Sequence, residues 1–238
     1  IYGGTAGLCE WILRETCAHV VLLTNALAAG DVLERLKSWD RERIHFQVSA
    51  DGTQESHDAV RGRGSHRRMI EGVRALGGEG FPVTLAMSVH SRNAADMPAV
   101  VNLAADLGLP SVHYMWLFTR GNAGSDLFVP PEELAPLVIE AAERGEKRGV
   151  LIDNIEIVKS QVFSIAGSRF DLSNAGWESL AVGPDGHVYP SPALIGVEGA
   201  DCGQVSAGLE SVWRGSPVLD ELRACSVATS PQYLANPL

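Results

Sequence analysis

The chain lacks most of the features that assign a protein to a partner at once. No run of about 18 apolar residues exists, and no basic segment followed by an apolar stretch opens the sequence, so neither a spanning helix nor a secretory signal is visible. A basic surplus is missing too. The 238 residues carry a formal net charge of −10, which opposes phosphate neutralisation and headgroup attraction and so argues against nucleic-acid and membrane partners. Cysteine is sparse: Cys9, Cys17, Cys202 and Cys225 form no C-x-x-C pair and no dense framework, which fits reduced thiols in the cytoplasm. There is no Gly-Lys-Ser/Thr ending to make Gly62-Arg63-Gly64-Ser65 a nucleotide triphosphate loop, and Ser91 and Ser191 lack a His–acid constellation for hydrolysis.

What is present is alternation. Strands are predicted at Val20–Leu23, Ile44–Val48, Pro82–His90 and Val112–Phe118, and helices at Asp31–Ser38, Arg67–Leu76, Asp96–Leu107 and Pro130–Arg148. Such an order predicts an α/β fold with parallel strands and right-handed crossovers, open or closed into a partial barrel, with ligands at the carboxyl ends of the strands. Polar residues stand at those ends: Thr24-Asn25, then Ser49 and Asp51, then Ser91-Arg92-Asn93, then Thr119-Arg120-Gly121-Asn122. Beyond a boundary at about 150–170 the helical period weakens. Leu180 to Pro190 reads as a β-hairpin turned by Pro184-Asp185-Gly186, with short helices at Leu209–Arg214 and Pro217–Cys225, so 151–238 is expected to be a small α+β unit behind a barrel-like unit of 1–150.

The densest signal is Phe46-Gln47-Val48-Ser49-Ala50-Asp51-Gly52, followed by His57-Asp58 and Arg61-Gly62-Arg63-Gly64-Ser65. A hydroxyl, a guanidinium and free backbone N–H groups gather at one strand end, which suits a small molecule bearing a carboxylate or phosphate. His57-Asp58 reads as a strand or turn pair in which Asp58 caps the local turn, and His66-Arg67-Arg68 as a solvated helix start. Asp153, Asn154 and Glu156, with Arg169 and Asp171, read either as peptide contacts or as surface ion-pair partners, and Trp116, Trp177 and Trp213 as packing. Each cysteine reads as a buried structural thiol, with Cys202 the one to probe for reactivity.

Val48-Ser49-Ala50-Asp51-Gly52, His57-Asp58, Arg61-Gly62-x-Gly64-Ser65 and Asn93 together resemble the core of the radical S-adenosylmethionine enzymes. Gly183-Pro184-Asp185-Gly186-x-Val188-Tyr189-Pro190, Cys202-Gly203-Gln204-Val205 and Leu209-x-x-Val212-Trp213-x-x-Ser216-Pro217-x-Leu219 resemble the SPASM-type extension of the branch rich in peptide-modifying maturases. The likeness covers about residues 1 to 225. It implies an incomplete parallel (β/α) partial barrel that binds S-adenosylmethionine beside a [4Fe–4S] cluster and modifies a peptide or protein by hydrogen abstraction. Tyr2-Gly3-Gly4 then stands for the strand motif that meets the ligand's ammonium, and Thr24-Asn25 ends the next strand. Ser49 and Arg61 hold the methionyl carboxylate and ribose, Asn93 assists at the ribose, and Leu117 packs near the adenine.

Departures accompany the likeness. Thr5 follows Gly3-Gly4 where the family has Glu, and the family's C-x-x-x-C-x-x-C loop does not occur, so the cluster's ligands are expected upstream of Ile1. Ser191 replaces the cysteine usual after Tyr-Pro, and no cysteine stands near Asn174-Ala175-Gly176. Cys202 and Cys225 are two thiols where a cluster takes four ligands, so no metal site is expected in this chain. These departures also fit a cluster-free relative that binds a peptide or other ligand without catalysis.

Overall fold

A computed structural model describes residues 4–117, 123–155, 174–226 and Thr229. The chain divides into two compact units, Ile1–Ile155 and Glu156–Leu238. In the first, the elements run α1 (Thr5–Glu15), β1 (Val20–Thr24), α2 (Ala29–Leu36), β2 (Ile44–Ser49), α3 (Gln54–Arg61), α4 (Ser65–Gly78), β3 (Val83–Val89), α5 (Met97–Asp106), β4 (Ser111–Trp116), α6 (Pro131–Arg148) and β5 (Leu151–Ile152). All four strand pairings are parallel, and the order across the sheet is β1-β2-β3-β4-β5. A doubly wound sheet reverses its strand order at a switch point, whereas here each strand lies beside its successor, as in a barrel wall. The α/β partial barrel expected from the alternation is the fold observed.

Strand periodicity divides the sheet's two faces. Ile44, Phe46 and Val48 of β2 and Val83, Leu85, Met87 and Val89 of β3 are buried in one core with Met69, Val73 and Leu76 of α4 and Met97, Val100, Val101 and Ala104 of α5. The period is two on the strands and three to four on the helices, the pattern that lets each element bury one side. Gly72 lets α4 approach the β1–α2 turn: a Cβ there would lie 2.1 Å from the Ala26 carbonyl oxygen.

The structure differs from the sequence reading in identifiable places. His57 and Asp58 lie within α3, not on a strand or turn. That helix has no apolar stripe to announce it, and it is held at its start by Asp96, which accepts hydrogen bonds from Thr53 N and Oγ1, both at 2.9 Å. The helix α1 was also unforeseen, although Ala6, Cys9 and Leu13 give it an apolar side that joins the core. The fifth strand, Leu151–Ile152, was not foreseen, and the chain is helical by Asp153; Glu156, Ile157 and Phe118 lie outside the described residues.

In the second unit, β6 (Ala181–Val182), β7 (His187–Tyr189) and β8 (Gly203–Gln204) form an antiparallel sheet in that order. The expected hairpin is β6–β7. Gly186, at φ +83°, completes its turn, and the Asp185 carboxylate accepts from His187 N at 3.2 Å. Two helices follow, α7 (Leu209–Gly215) and α8 (Pro217–Ala224). Val188, Cys202, Val212 and Leu219 form the unit's own core. Among the described residues no helix is long and apolar enough to cross a membrane.

Candidate functional site

The carboxyl ends of β2 and β3 are joined through Asp51. Its carboxylate, 3% exposed, accepts from Arg61 Nε at 2.5 Å and from Ser88 N at 3.3 Å. Its backbone N–H donates to His57 Nδ1 at 3.1 Å, and its carbonyl oxygen accepts from Asn93 Nδ2 at 3.2 Å. One residue thereby links the turn after β2, the last turn of α3 and the turn after β3. Arg61 is fixed through Nε alone, so its Nη groups have no hydrogen-bond partner among the described residues. Ser49, half-buried at the end of β2, likewise keeps its hydroxyl without a partner among them.

Burial sets the protonation states around this node. Desolvation pushes the His57 pKa down, outweighing the nearby Asp51 charge, so the ring is neutral and its Nδ1 accepts the Asp51 N–H. His90 is depressed by the same cause, and its Nδ1 accepts from Arg92 N at 3.2 Å. Asp58 does cap, as expected. It receives Gly64 N at 2.7 Å, His66 N at 2.8 Å and the Ser65 hydroxyl at 3.2 Å, and the backbone bonds hold its carboxyl below the usual range. The group capped is the start of α4, across the Gly62–Gly64 turn. Within the expected solvated helix start Arg67 and Arg68 are exposed, but His66 is buried against the His57 ring at 5.5 Å.

Each residue expected at the site has a definite place. Ser49, Arg61 and Asn93 are brought to the Asp51 node. Asn93 is committed there: its Oδ1 accepts from His90 N at 2.8 Å, while Nδ2 donates to the carbonyl oxygens of Ser88 and Asp51. Thr24 and Asn25 end the neighbouring strand, where each side chain closes a turn by accepting from Ala26 N at 3.1 Å and Leu27 N at 3.2 Å. The cavity behind them is about 30 Å³, the space of one water rather than a nucleoside. Leu117 is partly buried just past β4. Gly4 precedes α1 and is exposed, while Gly3 lies outside the described residues, as do Thr119–Asn122, Arg169 and Asp171.

Two further polar groupings escaped sequence reading. His113 Nδ1 meets Asp153 Oδ1 at 2.7 Å, and Asn154 grips the backbone of Tyr114 through both amide atoms, at 3.1 and 2.8 Å. Asp153 and Asn154 are thus engaged within the first unit. Only strand register reveals this, since the partners are 40 residues apart in sequence. Trp116 is not core packing; it is 37% exposed at the end of β4. The expectation of buried thiols holds for Cys9 and Cys202, whereas Cys17 and Cys225 are exposed. Burial raises the Cys202 pKa, which leaves that thiol protonated and unreactive.

No protein-family profile matches the chain. Curated relatives do. The chain is 30% identical over 186 residues to the antilisterial bacteriocin subtilosin biosynthesis protein AlbA of Bacillus subtilis, a match of 76% of this chain and 39% of that protein. It is 24% identical over 232 residues to the PqqA peptide cyclase of Bradyrhizobium diazoefficiens, covering 92% of this chain and 60% of the cyclase. Among solved structures, Streptococcus suis SuiB bound to its precursor peptide SuiA superposes with a TM-score of 0.72 at 13% identity, over 94% of this chain and 54% of SuiB. The fold is that of a radical S-adenosylmethionine partial barrel followed by a small antiparallel sheet. The relatives and the structural neighbours are radical S-adenosylmethionine maturases of the SPASM type, and it is to these that the chain is similar. It spans 39% to 60% of the length of these two curated relatives.

The two groups that this family implies fit the chain differently. Among the described residues no three of His, Cys, Asp and Glu stand together as a metal site, and the four cysteines are dispersed over both units, so these residues do not provide a ligand set for an iron–sulfur cluster. The unpartnered Ser49 hydroxyl and Arg61 guanidinium edge do fit the carboxylate and hydroxyls of S-adenosylmethionine.

Proposed function

We propose that this chain is the ligand-positioning part of a radical S-adenosylmethionine enzyme that modifies a peptide or protein. In the whole protein a [4Fe–4S] cluster, with ligands outside these residues, would supply the electron that cleaves S-adenosylmethionine and so provide the radical that abstracts hydrogen. The residues in hand bind and orient. Arg61, tethered at Nε by Asp51, offers its remaining donors to the methionyl carboxylate, and Ser49 hydrogen-bonds the carboxylate or ribose. Asn93 acts one step back, fixing the two strand ends against each other instead of meeting the ribose directly. Leu117 is assigned to the adenine edge, and Thr24 and Asn25 to shaping the adjoining turn. A peptide substrate is the reading favoured by the relatives, which include a peptide cyclase and a structure holding a precursor peptide.

The observation that carries the proposal is the Ser49–Asp51–Arg61 arrangement, which leaves a hydroxyl and a guanidinium edge open at adjoining positions of one strand end. Calorimetric titration of S-adenosylmethionine into this chain tests it, beside anaerobic iron–sulfur reconstitution of the full-length gene product and an assay for 5′-deoxyadenosine. Binding by the chain, weakened at least tenfold in Ser49→Ala and Arg61→Ala, supports the proposal. No binding by the native chain, or equal binding by the variants, refutes the site. If the full-length product binds no iron and releases no 5′-deoxyadenosine, the second reading stands: a cluster-free binding module, which Thr5 and Ser191 already favour.

A further inference from the structure

The second face of the sheet, opposite the helix-packed core, carries a site that the S-adenosylmethionine reading does not use. Register aligns Leu23, Gln47, Thr84, Ser111 and Leu151 across it in one row. The next row, toward the carboxyl ends, runs Ser49, Ala86, His113, and Asp153 follows β5 beside His113. In the first row Thr84 and Ser111 are paired: Thr84 Oγ1 meets Ser111 Oγ at 2.6 Å and, from the row below, His45 Nε2 at 2.8 Å. In the second row the pairing is incomplete. A carboxylate can only accept, so His113 Nδ1 carries a proton and donates to Asp153; in the neutral form of the ring Nε2 is then the lone-pair atom, and it has no partner among the described residues. The side chains are 27% and 40% exposed, which leaves the pair reachable.

Spacing separates this pair from the Ser49 position. Ser49 and His113 stand two strands apart, roughly 9–10 Å at ordinary strand separation. Ala86 between them is buried and contributes only a methyl group, so no polar side chain of this row stands between Ser49 and His113. We infer that His113, oriented by Asp153, is the contact for the second molecule on this face, the substrate, and that it accepts a hydrogen bond from an N–H, O–H or S–H group there. This rests on the reading of the strand ends as the ligand site. Where chemistry requires that proton to leave, the X–H bond breaks with its electron pair staying on X, the proton forms Nε2–H, and the resulting imidazolium faces the Asp153 carboxylate. Asp153 is the positioning residue: it fixes the tautomer and ring plane and does not itself take the proton.

The test needs no knowledge of the substrate. Histidine nitrogen-15 spectra of the chain, with S-adenosylmethionine present, report the tautomer of His113 and its response to three small probes: N-acetylglycine, N-acetylserine and N-acetylcysteine methylamides. The expected result is an Nδ1–H tautomer whose Nε2 resonance moves on adding at least one probe. Asp153→Asn should abolish the tautomer preference and cut the response at least tenfold, and His45→Gln, on the same face, should leave it within twofold. A His113 in the Nε2–H form, or one indifferent to all three probes, overturns the inference. S-adenosylmethionine affinity measured on the same samples separates this from failure at Ser49 and Arg61, because His113→Gln is expected to bind the cofactor within twofold of the native chain.

Discussion

The Asn93 carboxamide donates to the Asp51 carbonyl oxygen, tying the turn after β3 to the turn after β2 across 42 residues of sequence. With its bonds to Ser88 O and His90 N, the buried Asn93 side chain satisfies three backbone groups, those of Asp51 and His90 buried and that of Ser88 partly so. Leaving such groups unpaired costs about 1–3 kcal/mol each where nothing replaces the bond. Asn93→Ala is therefore expected to lower stability by about 2–4 kcal/mol in urea unfolding, at the upper end of single-site effects. Asn93→Asp should be worse than Ala, since a carboxylate would face the Ser88 and Asp51 carbonyl oxygens.

Arg61 and Asp51 allow affinity to be separated from stability. Arg61→Lys retains the charge but loses the planar fork, one nitrogen being unable to serve both the Asp51 carboxylate and a ligand carboxylate. A loss of about tenfold in S-adenosylmethionine affinity, near 1.4 kcal/mol, is expected by calorimetry, with a small change in unfolding midpoint. Asp51→Asn should cost both, because it also weakens the acceptor for Ser88 N.

Acid should destabilise the first unit earlier than carboxylate protonation alone would. His57, His66 and His90 all have pKa values pushed down by burial, so as pH falls below about 6.5 the unfolded chain takes up protons that the folded chain refuses. Stability then falls with pH from that point to the depressed folded values. Asp58 and Asp96 add a second loss below the usual carboxylate range. Backbone bonds from His66 and Gly64 hold Asp58 down; at Asp96, burial raises the pKa but bonds from Ser56 and Thr53 more than offset it. Urea midpoints measured between pH 8 and pH 4 should begin to drop near pH 6.5, and His57→Gln should shrink the upper part of that drop.

The core was legible because burial writes itself into periodicity. Ile44, Phe46 and Val48 alternate, Met69, Val73 and Leu76 recur at helical spacing, and the parallel order follows from the two patterns taking turns. The site was legible only in part. Ser49, Asp51 and Arg61 stood out because polar groups flank one strand end, but nothing in the sequence showed that the Asp51 carboxylate holds Arg61 in place. No pattern links His113 to Asp153, since their contact is created by β4 pairing with β5. The helix α3 was hidden for a related reason: its hold on the fold comes through His57 and the Asp96–Thr53 bonds rather than through an apolar stripe.

The second unit has a fastening of its own that can be tested through a cysteine. Arg223 donates from Nε to Gly176 O at 2.8 Å and from Nη1 to Trp213 O at 2.9 Å, and its guanidinium lies 4.6 Å above the Trp213 ring. A lysine has one nitrogen where these contacts need two and a plane, so Arg223→Lys is expected to loosen the unit by about 1–3 kcal/mol, within the range for charged hydrogen bonds. Cys202 reports the loss. Its thiol is buried in the same unit with a pKa raised by burial, so it should alkylate only on opening, while the exposed Cys17 and Cys225 react at once. Iodoacetamide labelling followed by mass spectrometry should show Cys202 modified about tenfold or more faster in Arg223→Lys, with the rates at Cys17 and Cys225 unchanged. Because no metal-binding cluster occurs among the described residues, adding a chelator should leave the Cys202 rate of the native chain where it was. Acceleration by chelator would show a metal helping to hold this unit together.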